Sequence, residues 1–169
     1  MNKIPRIVIA GLAAVFAAMF AANGIVRAAS RPDGTAVFTR GNYTAAVNRA
    51  APLAERGDAQ AQAFLGFMYE HGRGVAQDYV IAVHWYTCAA EQGHPTAQYL
   101  LGLMYDKGHG VERSDTLAYK WLNLAAAHAP PHAKEYYARI RDAVAAKLTA
   151  AQIAEAQWLA SNFVPKAPQ

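Results

Sequence analysis

The sequence predicts an all-α fold in which antiparallel helix pairs stack side by side and a last helix closes the C-terminal end. Three observations carry this. Residues Gly57–Gln92 and Gly93–His128 match at 14 of 36 positions when aligned without a gap, and self-similarity at such a period is the mark of a solenoid. Within each unit the apolar residues recur at helical spacing, Ala61, Leu65, Met68 and Tyr69 in one and Ala97, Leu101, Met104 and Tyr105 in the other. Paired glycines then interrupt both units at the same place, Gly72 with Gly74 and Gly108 with Gly110.

In chain order, Met1 to Ala28 reads as an export signal. Lys3 and Arg6 precede an uncharged apolar run, Ile7 to Ala22, and Val26-Arg27-Ala28 offers small residues at the cleavage positions. The run has 16 residues, shorter than the about 20 that usually span a bilayer. Residues 1–28 are therefore expected to be removed, leaving a periplasmic or secreted chain with no stable membrane insertion; an uncleaved inner-membrane anchor is the alternative. Residues 29–37 read as a flexible segment and 38–164 as the repeat domain.

Inside that domain 38–56 is a partial repeat, because Tyr43, Ala46, Leu53 and Ala54 keep only the second-helix register. The full repeats are 57–92 and 93–128. Each first helix starts behind a cap, Asp58 or His94, with Pro95 at the favoured first position, and ends at its glycine pair, which permits a left-handed turn. Each second helix starts behind Asp78 or Ser114 and carries Ala82, Trp85 and Ala89, or Ala118, Trp121 and Ala125. Trp85 and Trp121 are expected to be buried equivalents. A degenerate repeat, 129–148, has Ala138 and Val144 where glycines stood, so its helix runs longer; Thr149 to Gln152 is a capping box opening a helix over 150–162. Residues 165–169 read as a flexible tail.

Composition narrows the function. With 54% hydrophobic and 17% charged residues the chain is globular, not disordered. The net charge of +4 lies mostly in the signal: without Lys3, Arg6 and Arg27 it has 13 basic against 12 acidic residues, no excess with which to hold a phosphate backbone, so nucleic acid is not an expected partner. The single cysteine, Cys88, cannot form an internal disulfide. It reads as a buried small hydrophobe, since it aligns with Leu124. His84 and Cys88 stand at i, i+4, but two ligands make no metal site. No nucleophile or acid–base motif is present, and Gly72-Arg73-Gly74 follows a helix and recurs in register, which marks a turn and not a phosphate loop. Neither cofactor nor catalysis is expected.

The run of Ala61, Leu65-Gly66, Tyr69, Gly72, Gly74-Val75, Asp78, Ala82, Trp85-Tyr86 and Ala89-Ala90-Glu91-Gln92-Gly93 resembles the Sel1-like repeat family, relatives of the tetratricopeptide repeats. The resemblance implies a right-handed superhelix serving as an adaptor or scaffold for a protein or peptide. Some secreted relatives are cysteine-rich and bind penicillin; this chain lacks the second cysteine of each pair, and that activity is not carried over. A cell-envelope hydrolase or cell-wall-binding protein with an unrecognised site is the alternative.

The expected binding surface is the face of the first helices turned away from the core stripe. Positions 63, 67 and 70 recur one unit on as Tyr99, Leu103 and Asp106, and again as Glu135, Arg139 and Asp142. By resemblance to tetratricopeptide modules this face is concave. Phe67, Glu70, Tyr99, Leu103 and Asp106 would line it, flanked by Gln60, His71 and Lys107, with the apolar members free to meet a partner; packing of those apolar side chains against the next second helix or the chain's own C-terminal segment is the alternative.

Overall fold

The structure is a computed structural model that describes residues 40–167, together with Ala29–Ser30 and Ala36–Val37. The expected export signal lies outside the described residues, as does most of the segment 29–37. Within that segment Ala29–Ser30 (β1) and Ala36–Val37 (β2) pair antiparallel, Ala29 opposite Val37 and Ser30 opposite Ala36.

Seven helices follow among the described residues: α1 Arg40–Ala54, α2 Ala59–His71, α3 Tyr79–Glu91, α4 Pro95–Lys107, α5 Asp115–His128, α6 Pro131–Ala145 and α7 Ala150–Ser161. Each packs on the next as far as α6, and α7 folds back onto α5. The helix starts follow from their caps. The Asp58 carboxylate accepts from the Ala61 amide at 2.8 Å, and Asp78 accepts from those of Val80 and Ile81. Ser114 does the same for Leu117 at 3.3 Å, while Thr149 and Gln152 close the capping box from both sides. Such caps satisfy amide groups that a helix leaves without internal partners.

Glycine fixes how one repeat meets the one before it. At Gly74, with φ +77°, an added Cβ would lie 2.6 Å from the carbonyl carbon of Tyr43 in α1, and Gly110, with φ +70°, meets the Tyr79–Val80 backbone of α3 in the same way. Each loop thus docks on the backbone of the preceding second helix, where no side chain fits.

The core runs the length of the stack. Leu65, Tyr86, Leu101, Met104 and Leu122 are fully buried, and alanines at 61, 82, 89, 97, 118 and 125 let the helices approach closely. Two buried glutamines tie repeats together: Gln62 Nε2 donates to the Ala54 carbonyl at 3.0 Å and, 36 residues on, Gln98 Nε2 donates to that of Ala90 at 3.2 Å. Each of these carbonyls ends the second helix of the preceding repeat.

Three expectations are corrected. Trp121 is buried but Trp85 is only half-buried, because α7 packs on α5 and Phe163 on Trp121, whereas α3 packs chiefly on α2 and α4. Cys88 is half-buried rather than buried; it borders a cleft with Glu91, Gln92 and Lys166. Pro165 and Lys166, expected to trail freely, are docked: Pro165 packs on Gly93, and the Lys166 amide donates to the Glu91 carbonyl at 2.8 Å.

Candidate functional site

The predicted face is built from α2, α4 and α6, and the structure divides it into a closed part and an open part. Phe67 is 6% exposed and Tyr99 3% exposed. The expectation that these two rings stand free for a partner is therefore corrected: neighbouring elements already cover them. Phe67 lies against the His71 ring at 4.2 Å, with the Arg73 guanidinium 5.2 Å above it and that same guanidinium 5.6 Å from the Tyr43 ring. Tyr99 stacks on Tyr137 of α6 at 4.3 Å with the planes only 4° apart, and its hydroxyl donates to that of Tyr136 at 3.2 Å. Burial and these neighbouring oxygens push the Tyr99 phenol well above the usual tyrosine range.

The open part lies at the C-terminal ends of the first helices. Glu70 and Asp106 occupy equivalent positions, followed by the exposed His71 and Lys107. Glu70 Oε2 accepts from the Tyr86 hydroxyl at 2.6 Å, and burial together with this carboxylate raises the Tyr86 pKa strongly. A charge-assisted bond of that length fixes the carboxylate where it stands. Tyr86 reaches it by crossing Gly66, where an added Cβ would come within 2.5 Å of the ring. His71 Nδ1 lies 3.1 Å from the Phe67 carbonyl and 3.9 Å from Glu70 Oε2. One unit on, Asp106 pairs with Lys147, which follows α6, so α4 is tied to the end of α6. Leu103 and Gln60 are half-buried, and Asp142 of α6 accepts from Arg141 at 2.7 Å.

The face thus presents a polar strip, Glu70, His71, Asp106 and Lys107, with Leu103 and the 39%-exposed Tyr136 beside it. Sequence reasoning missed Tyr136, Tyr43 and Arg73. The Tyr136-Tyr137 doublet stands in the register of Leu100-Leu101, and that was the available signal for an α6 that lays aromatic rings against α4. Gln60, Glu70, His71, Leu103, Asp106 and Lys107 remain accessible to differing degrees. Phe67 and Tyr99 support them from beneath.

On the opposite side, His84 Nε2 lies 3.9 Å from Cys88 Sγ, and burial and the Glu91 carboxylate raise the thiol pKa. A protonated thiol is a poor nucleophile and a poor ligand. Among the described residues no three His, Cys, Asp or Glu side chains converge on one point. No described helix is long and apolar enough to cross a membrane.

Comparison with known proteins agrees with this architecture. A model of the Sel1 repeat matches residues 59–94 and 95–129, two residues out of phase with the units read from the sequence. No curated protein matches the chain. The crystal structure of a protective antigen present in uropathogenic Escherichia coli strains, displaying an SLR fold, is similar with a TM-score of 0.69 and 31% identity. That likeness covers 75% of this chain and 27% of the antigen, so this chain spans about a quarter of its length. A Sel1 repeat protein from Oxalobacter formigenes is similar with a TM-score of 0.52 and 42% identity, over 56% of this chain and 71% of that one. The all-α right-handed superhelix with a C-terminal capping helix expected from the sequence matches the Sel1-repeat solenoid fold of these proteins.

Proposed function

The chain belongs to the Sel1 repeat family, and from that premise we propose that it is an exported adaptor that holds a protein or peptide partner on the first-helix face of its repeat stack. Proteins built of Sel1 repeats generally mediate protein–protein interaction, and the fold is typically a non-catalytic scaffold. The finer reading rests on one observation. Glu70-His71 and Asp106-Lys107 recur at the same helix ends, one repeat apart, over buried aromatic support. A row of polar groups at constant spacing suits an extended partner lying across the repeats, because each repeat offers it the same kind of contact.

The reading places the adaptor in the periplasm or outside the cell, after removal of residues 1–28. The alternating acidic and basic groups favour a polar segment of mixed charge over nucleic acid. Leu103 and Tyr136 supply the apolar contact that anchors such complexes.

The test is capture of partners from an envelope extract by residues 29–169, with Leu103→Glu and Lys107→Glu combined in one variant and Tyr136→Ser in another. Both variants leave Phe67 and Tyr99 in place, since removing those buried rings would unfold the stack. The expected outcome is that a specific band, identified by mass spectrometry, is lost in at least one variant that still melts cooperatively; Tyr136→Ser, which removes the acceptor of the buried Tyr99 hydroxyl, should melt somewhat below the parent. Capture equal to the parent in both variants would end the assignment of this face.

A further inference from the structure

Residues 163–166 lie on the other side of the stack, against the second helices, as a bound peptide would. After α7 ends at Ser161 the chain turns and passes from α5, at Phe163, to the α3–α4 junction, at Pro165 and Lys166. Phe163 meets Trp121 edge to face at 5.6 Å, and the Lys120 ammonium lies 4.3 Å from the Trp121 ring and 5.8 Å from that of Phe163. Val164 points outward and is 79% exposed. Pro165 packs on Gly93, which offers no side chain of its own. The Lys166 amide then donates to the Glu91 carbonyl at 2.8 Å, and its ammonium to Glu91 Oε2, also at 2.8 Å. Beside it lies a cleft of about 100 Å³ lined by Gln62, Cys88, Glu91, Gln92, Lys166 and Ala167.

Each contact uses a chemistry that peptide grooves use: a ring on a ring, a proline on a glycine, one main-chain bond and one ion pair. The last two are also weak enough to exchange. The ion pair is 57% exposed on the lysine and 34% on the glutamate, so water and salt screen it. The tail has one main-chain bond to the stack, unlike the helices beneath it, and segments held this way open first.

We propose that this groove, from Trp121 to Glu91, is a second docking site and that the tail is its resident stand-in. The groove binds an extended partner segment carrying an aromatic residue and, three positions on, a lysine or arginine, with proline favoured between them. The tail gates the site: tethered directly to α7, it competes at an effective concentration on the order of millimolar, so a partner enters only when it binds better or when the tail is loosened. This site lies apart from the first-helix strip and does not depend on it.

The test uses the full chain and a fluorescent peptide of residues 161–169. The parent chain should bind the peptide weakly, and Lys166→Glu, which loosens the resident tail at an exposed position, should bind it at least tenfold more tightly. Adding Glu91→Gln to that variant leaves the tail loose but removes the ion-pair partner of the peptide's lysine, and should weaken the binding several-fold. Hydrogen exchange gives a second measurement on the parent chain: excess peptide should speed exchange of the Lys166 amide. Equal affinity of the parent and Lys166→Glu chains would show that the tail gates nothing. No binding by the Lys166→Glu chain, or binding indifferent to Glu91→Gln, would remove the groove as a docking site.

Discussion

The two full repeats share their period, their glycines and their tryptophans, yet they sit in the protein differently. In the second, Trp121 is buried beneath Phe163 and beside Lys120; in the first, the equivalent Trp85 is half-buried and has the His84 ring edge-on at 5.3 Å. The side chain and its helix register are the same. What differs is the neighbour: α7 and the tail cover α5, and the outer face of α3 keeps Val80 66% and Ile81 37% exposed. Repetition specifies where a residue points, and the architecture around it decides how much that residue contributes.

The largest expected effect follows directly. Trp121→Ala should cost about 3–5 kcal/mol, the range for a large aromatic lost from a core, and Trp85→Ala about half as much. Urea denaturation of both variants, with the parent as reference, measures the difference. Equal losses would mean that the outer face of α3 is covered after all, and that the two repeats are energetically equivalent.

A second difference lies at the caps of the first helices. Asp58 caps α2 as a carboxylate, whereas His94 caps α4 by accepting the Ala97 amide on Nδ1 at 3.2 Å, which requires a neutral ring. Burial lowers the His94 pKa to about 4, with nearby Asp58 opposing the shift, against about 6.5 in an unfolded chain. Between those values the unfolded chain takes up a proton that the folded chain refuses. Stability is therefore fully present above pH 6.5 and falls as the pH drops toward 4, by up to about 3 kcal/mol from this residue. His94→Asn keeps a good cap without the titration, so its melting temperature should fall less than that of the parent between pH 7 and pH 4.5. Parallel pH curves for the two proteins would contradict the assignment.

The same contrast separates what the sequence could and could not reveal. Periodicity placed α2 to α5, their caps and their glycine turns, because each depends on residues close together in the chain. Thr149 and Gln152 announced α7, and Val144 the longer α6. The face of the first helices was also legible as a register, but its accessibility was not. Position 67 lies off the core stripe, yet Arg73 and Tyr43 enclose Phe67; position 99 does too, yet Tyr136 and Tyr137 arrive from 37 and 38 residues away to cover Tyr99. Burial depends on such distant contacts, which no local pattern encodes. Lys166 reaching Glu91 across 75 residues is the extreme case.

The smallest effect concerns the paired glutamines and sharpens the comparison most. Gln62 has both ends satisfied: Nε2 donates to the Ala54 carbonyl, and Oε1 accepts from Gln92 Nε2 at 2.7 Å. Gln98 makes the first bond, to Ala90, but its Oε1 is buried without a partner. The cause lies 36 residues beyond Gln92, where His128 stands with its Nδ1 at 3.0 Å from the Leu124 carbonyl. A buried acceptor left without a donor costs about 1–3 kcal/mol, while a completed neutral bond contributes about 1 kcal/mol net. Two consequences follow. Gln62→Met should destabilise more than Gln98→Met, by about 1 kcal/mol, because only the first discards a completed pair. His128→Gln should supply the missing donor and stabilise the chain by about 0.5–1 kcal/mol, raising the melting temperature by a few degrees. If His128→Gln stabilises the parent but not the Gln98→Met variant, the gain comes through this one oxygen. A gain of equal size in both backgrounds would place it elsewhere, in the exposed end of α5, and the two repeats would then differ at this junction for another reason.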